Sequence, residues 1–467
     1  MKRLILALVV VGFLVIPTFV MAGGTVEEMT FYSQALGQDR AALVYLPEGY
    51  GTSGLQYPVV YLIHGHAGTA GNWYAFPEFV GALDVMIGDE LVDPFILVEP
   101  DASCMPWAPS LPYPFPSHLT DSVLTGNHET ALVEDVVGWV DSTYRTLVNP
   151  GHRFIFGRSA GGYGAARVAL RHPDVFGGLG LQVGLVALEP VQYMLPMWLA
   201  EYPAGPPYLF NPVAGSISFM VFSWSAAFTP DLSNPPWSVD LIVDQDGNLD
   251  TAVWDRFVAQ SPSRWAGELA ASGDDLDIFM DGGTQDFMLP FTTAFAAALD
   301  AFALPYTLEM FDGDHENPPM WQRLQTHVTY FMPLNATVEI NPDTVNLGSR
   351  GRWVTAYLEL PGGLAVSDID LSTIAITEVD GMDLATAILR EGPTDISDVN
   401  GNGVPDLMVK FDRGDLIEQL GGHGGNTVAL TVSGQLINGW YLEAVDTVRV
   451  VGRYRHGREN PTQQFLE

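Results

Sequence analysis

The sequence predicts an α/β protein: a doubly wound, mainly parallel sheet followed by a smaller all-β sandwich. Three observations carry this. Wholly apolar strand-like runs alternate with stretches of helical spacing over the first two thirds of the chain. Such strands belong to parallel sheets covered on both faces. A glycine-flanked serine, Gly157-Arg-Ser-Ala-Gly161, stands where one strand passes into a helix. From Ala336 onward short β-type runs are separated by Gly, Asp, Asn and Pro, which is the pattern of a sandwich.

The elements follow in order. Thr30 to Leu46 reads as an opening hairpin turning at Leu36-Gly37-Gln38. Pro58 to Ile63 is a buried strand running into His64-Gly65-His66, and Pro94 to Glu99 is the next. A helix is expected over Glu129 to Val148, a strand over Arg153 to Phe156, and a helix from Ala160 until His172-Pro173 stops it. Phe176 to Val183, Leu276 to Met280 and Tyr306 to Phe311 read as strands, Thr292 to Phe302 and Met320 to Phe331 as helices. Residues 190–237, crowded with Pro, Trp, Tyr, Phe and Met, interrupt that rhythm and are expected to cap the mouth of a site. The α/β domain should therefore span 23–334 and the β module 335–467, joined at Pro333-Leu334-Asn335. The module's strands include Thr337 to Ile340, Trp353 to Leu360, Leu407 to Phe411, Thr427 to Val432 and Thr447 to Val451.

Composition bounds the function. With 467 residues, 47% of them hydrophobic and 16% charged, the chain can bury more than one core. A net charge of -35 argues against nucleic acid or an anionic membrane as partner. The single cysteine, Cys104, excludes an intrachain disulfide. Lys2-Arg3 before the apolar run Leu4 to Val20, with Val20-Met21-Ala22 closing it, reads as a signal peptide over 1–22. A secreted or periplasmic mature chain from Gly23 is the expectation, with no later segment long and apolar enough to span a bilayer. The oligomeric state is not legible.

Strand, tight turn and helix around Gly157-Arg-Ser-Ala-Gly161 are the context of a nucleophile elbow. Ser159 would stand exposed at a helix N-terminus that favours developing negative charge. Such a serine needs a base and an acid to orient it, in the chain order Ser, Asp or Glu, His. His315, after the strand ending at Phe311, is the candidate base. His327 lies inside a helix and reads as structural. The acid is Asp281 or Asp286, both at or after the end of one strand.

The ordered motifs Tyr61-Leu-Ile-His-Gly65, Tyr144-Arg-Thr146, Gly157-Arg-Ser-Ala-Gly-Gly162, Gly283-Thr-Gln-Asp286 and Gly313-Asp-His315 with Trp321 carry a resemblance. From about Val26 to Phe331 the chain resembles the esterase D-like superfamily of α/β-hydrolases. That group holds feruloyl and acetyl xylan esterases, S-formylglutathione hydrolases and mycolyltransferases. The resemblance implies Asp286, rather than Asp281, as the acid. It implies an oxyanion hole from the backbone N–H groups of Ala160 and His66, and no cofactor for catalysis. Ala160 departs from the methionine common at that position. The implied activity is that of a secreted serine esterase on carboxylic esters, of feruloyl, other aromatic or polyester type. An acyltransferase of the mycolyltransferase kind and a non-catalytic surface-binding protein are the alternatives.

Two metal patterns remain. His64 and His66 lack a third ligand at zinc spacing. Asp398, Asn400, Asn402 and Asp406, with Gly403 at the turn, match the first part of a calcium loop, but Val409 stands where its closing glutamate belongs. A calcium-stapled hairpin is the expectation there, and Asp244 to Asp250 is read as a plain turn.

Overall fold

The computed structural model describes residues 23–66, 68–104, 115–210 and 217–452. The expected signal peptide at 1–22 lies outside them.

The first sheet has eight strands: β1 (Thr25–Ser33), β2 (Gln38–Leu46), β3 (Val59–Ile63), β4 (Ile96–Pro100), β5 (Arg153–Arg158), β6 (Gly178–Gln182), β7 (Asp277–Gly283) and β8 (Thr307–Phe311). Their spatial order is β1-β2-β4-β3-β5-β6-β7-β8. β1 and β2 form the antiparallel hairpin and β2 meets β4 antiparallel, while β4 through β8 are mutually parallel. The apolar character of β3 has a plain cause. Val60 and Leu62 pack into the core on one face, and Val59, Tyr61 and Ile63 into the core on the other. From β3 the chain crosses to β4 on one side and later returns to β5 on the other. The crevice beyond the C-terminal ends of β3 and β5 is thus the topological switch point, where ligands bind in open α/β sheets.

The covering helices are α1 (Pro77–Gly88), α2 (Val137–Thr143), α3 (Ala160–Arg171), α4 (Ile217–Phe228), α5 (Thr251–Val258), α6 (Pro262–Ser272), α7 (Leu289–Ala301) and α8 (Met320–Phe331). Residues of α1 and α8 join the core on the Val60 face, those of α2, α3, α6 and α7 the core on the other. The helix expected through Val148 ends at Thr143, after a π-helical stretch at Ala131–Val136. Beyond it Thr146 bridges Tyr57 beside β3, so a tertiary pairing overrides the helical spacing.

The expected cap over 190–237 is a packed body with its own core. Trp198, Phe219, Phe222 and Trp224 are almost fully buried. They pack among Val191, Phe257, Phe210 and Val239, and Tyr163 of α3 supports them from below. Asp244 to Asp250 is a turn, with Val243 bridged to Leu249.

The C-terminal module is the expected separate all-β unit, and its strands join in one continuous sheet. Its strands are β9 (Leu334–Asn335), β10 (Thr337–Asn341), β11 (Thr344–Asn346), β12 (Trp353–Glu359), β13 (Ile369–Val379), β14 (Met382–Ser397), β15 (Asp406–Asp412), β16 (Thr427–Leu436) and β17 (Tyr441–Val451). They form one nine-stranded sheet, β9-β17-β16-β13-β14-β15-β12-β10, with β11 beside β17. The long strand β14 is the reason. Its first part pairs with β13 and its second with β15, the register shifting between Glu391 and Asp395. Gly392, at φ 73°, supplies the left-handed backbone that this bend needs. One sheet thereby folds over a single core containing Ile376, Ile388, Val409 and Phe411.

The module is not tethered by a free linker. Its core is continuous with α1 and α8 through Leu83, Leu324, Val328 and Leu334. Asn335 N–H donates to Leu91 O at 2.8 Å, and Tyr441 N–H to Thr329 Oγ1 at 3.2 Å.

The suspected calcium loop is closed by its own hydrogen bonds. Asp398 accepts from the N–H groups of Gly401 and Gly403, and Asp406 from Val399 N–H. Asn400 and Asn402 point their amide N–H groups at Glu359. Among the described residues no group of three or more His, Cys, Asp or Glu is disposed to hold a metal. Among the described residues no helix is long and apolar enough to cross a membrane.

Candidate active site

The elbow is built from steric necessity. Ser159, between β5 and α3, has φ 55° and ψ −119°, strained for a residue with a side chain. A Cβ on Gly157 would lie 2.2 Å from Gly161 O, and one on Gly161 would lie 2.4 Å from Ile63 O. The turn is locked by Ser159 N–H donating to Gln182 O at 3.0 Å and Gly162 N–H to Ser159 O at 3.0 Å. The serine is thereby held over the C-terminal edge of the sheet, at the first turn of α3.

His315 follows β8 and Asp286 follows β7, so parallel pairing of these strands brings the two loops together. His315 Nδ1 donates to Asp286 Oδ2 at 2.9 Å, with Oδ1 at 3.1 Å. Asp286 is fixed in turn by Met288 N–H, which donates to Oδ1 at 2.7 Å. Its side chain is fully buried while that of His315 keeps 15% exposure, so the imidazole is the member of the pair that reaches solvent.

Asp281 is elsewhere. Its buried carboxylate accepts from Val183 N–H at 3.1 Å, Arg323 Nε at 3.0 Å and His327 Nε2 at 3.0 Å. Burial alone would raise its pKa, but the hydrogen bond from His327 and the charge of Arg323 outweigh that and hold it below the usual range. His327 is thus spent on Asp281, inside the core.

Ser159 and His315 line one open cavity of about 380 Å³, together with Gly65, His66, Asn72, Trp73, Arg158, Met220, Phe287, Glu316 and Met320. Among the described residues no hydrogen bond joins Ser159 to His315. Gly65 faces the serine: a Cβ there would lie 3.8 Å from Ser159 Cβ. Behind it His64 is fixed, its Nε2 accepting from Ala102 N–H at 3.0 Å and its Nδ1 lying 3.0 Å from Gly65 O. With both nitrogens engaged, His64 is no zinc ligand. The His66 ring packs edge-on against Phe219, and burial pushes its pKa down to about 4, leaving it neutral. The structure therefore gathers Ser159, Ala160, His66, Asp286 and His315 at one place. The C-terminal loop 398–406 belongs to the other sheet.

The matching profile of the Esterase family, described as "Putative esterase", covers residues 33–327, well over half of the chain. The chain belongs to this esterase family. The matched span holds the whole cavity and all of the first sheet except part of β1, and it carries the esterase D-like resemblance read from the motifs. Among curated proteins, the chain is 30% identical over 165 residues to an endo-1,4-beta-xylanase/feruloyl esterase of Xylanibacter ruminicola, matching 34% of this chain and 22% of that one. It is also 30% identical over 159 residues to an esterase of Mycobacterium tuberculosis, matching 34% and 32%. The match thus spans between about a fifth and a third of the length of these relatives. Among solved structures, a ferulic acid esterase is 20% identical, covering 66% of this chain and 97% of its own, at a TM-score of 0.46. A Staphylococcus aureus S-formylglutathione hydrolase is 15% identical, covering 66% and 98%, at 0.45.

Several members of this esterase's cavity were not legible in its sequence. Arg158 sits inside the serine motif, yet its role depends on the His315 loop. Its Nη2 donates to His315 O and, at 3.1 Å, to Glu316 Oε2, tying the strand of the serine to the loop of the histidine. Trp73, Phe287 and Met320 supply apolar wall from three segments far apart in the chain, and no local pattern marks them. Among the described residues of the expected cap, Met220 alone lines the cavity.

Proposed function

We propose that this protein is a secreted serine esterase that hydrolyses carboxylic esters through Ser159, His315 and Asp286. The observation that carries the reading is the His315–Asp286 hydrogen bond at 2.9 Å, set in the same cavity as a strained, glycine-flanked serine. Asp286 holds the imidazole with its Nδ1 protonated, which leaves Nε2 free to accept the Ser159 proton. Ser159 Oγ attacks the ester carbonyl carbon, and the carbonyl oxygen becomes an oxyanion. The backbone N–H groups of Ala160, at the α3 N-terminus, and of His66 donate to that oxyanion. His315 returns the proton to the departing alcohol oxygen as the ester C–O bond breaks, leaving an acyl-serine. Water, deprotonated by the same imidazole, attacks this acyl group and releases the acid, and Ser159 regains its proton.

The walls indicate the kind of ester. Trp73, Met220, Phe287 and Met320 give the cavity an apolar lining large enough for an aromatic or long acyl group. Feruloyl-type esters suit such walls, in keeping with the feruloyl esterase named among the similar proteins. Secretion rests on the charged and apolar leader at 1–22. The test is a comparison of p-nitrophenyl esters of increasing chain length with a methyl hydroxycinnamate, run on wild type and Ser159→Ala. Turnover by wild type alone supports the reading. No turnover of any ester by wild type would overturn it.

A further inference from the structure

Below the cavity lies a buried carboxylate that the proposed reaction does not use. Glu99 is the penultimate residue of β4 and has no solvent exposure. Its side chain leaves the strand end and meets the segment that follows β3. Gly71 N–H donates to its Oε2 at 3.0 Å and Trp73 N–H to its Oε1 at 3.2 Å. These are backbone amides of the loop whose side chains Asn72 and Trp73 line the cavity and whose start is Gly65 and His66.

The described internal bonds of that loop are short turns, Gly68 N–H to Gly65 O at 3.2 Å and Asn72 N–H to Thr69 O at 3.1 Å. Its two ends are fixed from outside, one by the end of β4 and one just beyond it. At the start, His64 accepts from Ala102 N–H. At the far end, Glu99 receives Gly71 and Trp73. The filling between is tight, since a Cβ on Gly68 would lie 2.4 Å from Asn72 Oδ1 and 2.8 Å from His64 Nδ1. A shift of Gly71 or Trp73 therefore passes through Asn72 and Gly68 to His64 and Gly65. Gly65 is the backbone that stands opposite Ser159.

We propose that Glu99 is a positioning residue for the oxyanion loop, setting the backbone of Gly65 and His66 against Ser159 through Gly71 and Trp73. A buried carboxyl is costly, and the same two amides could have been met by a carbonyl or by water. A carboxyl with two acceptor oxygens fixes two amides two residues apart at once, which a single hydroxyl or amide oxygen does less well. Oxyanion donors contribute only if they are already in place when charge develops, so the consequence falls on the transition state rather than on substrate binding.

The inference rests on the esterase reading, and the experiment separates the two. Full-length wild type, Glu99→Gln, Glu99→Met and Ser159→Ala are assayed on p-nitrophenyl acetate, below the melting temperature of each. Methionine keeps the volume and removes both acceptors, whereas glutamine keeps one acceptor oxygen. Expected for Glu99→Met is a fall in kcat of about 30-fold or more with KM within about threefold, since one lost oxyanion donor costs about 10²–10³ in kcat. Glu99→Gln, which keeps one acceptor, should recover part of that loss and leave kcat several-fold below wild type. A Glu99→Met enzyme with wild-type kcat, or one that loses only through KM, overturns the proposal while leaving the esterase reading intact. Inactive wild type overturns both. If Glu99→Met does not fold, Glu99→Gln decides: a several-fold fall in kcat at unchanged KM supports the positioning role, and unchanged kcat refutes it.

Discussion

Asp281 and Asp286 stand on one strand and the loop that follows it, yet each carboxylate holds a different histidine. Asp286 receives His315 Nδ1 at the cavity, and Asp281 receives His327 Nε2 inside the core. The end of β7 separates them. Asp281 still points along the sheet toward α8, while the turn through Gly283 lifts Asp286 over the sheet's edge.

This separation predicts different phenotypes. Asp286→Asn should lower kcat by roughly 10⁴ with little change in melting temperature, because it spoils the tautomer and not the packing. Asp281→Asn should leave kcat within about tenfold but destabilise by about 3–5 kcal/mol, because it leaves Arg323 charged in the core. Steady-state kinetics beside thermal melts check both. The reverse ranking on kcat would reassign the acid.

The elbow predicts intolerance of a single methyl group. Gly161→Ala would place Cβ 2.4 Å from Ile63 O and 2.5 Å from His64 O, both backbone atoms that cannot give way cheaply. Expression should collapse, or the soluble fraction should lack turnover. A control such as Gly81→Ala, where nothing lies within 4 Å of the added Cβ, should behave as wild type. Soluble, active Gly161→Ala protein would show the elbow to be looser than this.

Glu99 predicts a pH dependence of stability. Burial pushes its pKa up to about 8, against the pull of the Trp73 and Gly71 amides. Asp101 adds to the rise. A group whose pKa is higher folded than unfolded binds more protons in the folded state, so stability falls as pH rises. The contribution is full below about pH 4.5 and is lost as pH climbs through about 8. Melting temperatures across pH 5 to 8.5 should therefore fall less steeply for Glu99→Gln than for wild type. Parallel curves would remove Glu99 as the source.

The cavity walls predict which aromatic residues set specificity. Phe287 lines the cavity and is half exposed, whereas Trp198 is fully buried in the excursion's own core. Phe287→Ala should raise KM for a hydroxycinnamate ester several-fold more than for p-nitrophenyl acetate, with the melting temperature unchanged. Trp198→Ala should cost about 3–5 kcal/mol of stability and leave the ratio of the two KM values alone. Equal effects on both esters in Phe287→Ala would make that residue scaffold.

By itself the sequence determined what depends on local pattern. The apolar run at Val59–Ile63 demanded a sheet covered twice, and Gly157-Arg-Ser-Ala-Gly161 demanded a strained turn before a helix, because only glycine tolerates the approach of Ile63 O and Gly162 N. Chain order then narrowed the base to His315. What the sequence left open was every choice made between distant segments. Strand pattern alone left Asp281 and Asp286 open and the resemblance implied Asp286; the path of the chain beyond β7 gives Asp286 to His315 and Asp281 to His327. The aromatic run at 190–237 looks the same whether it faces a ligand or itself, and only the tertiary structure shows Trp198, Phe219 and Phe222 buried in a core while Met220 lines the cavity. The folding of β14 across two partners, which makes one sheet of nine strands, depends on a bend at Gly392 that no periodicity announces. Glu99 was read only as the end of an apolar strand. Its meaning appears when the loop after β3 folds back and brings two amides to a carboxylate far along the chain, a contact that tertiary closure alone can make.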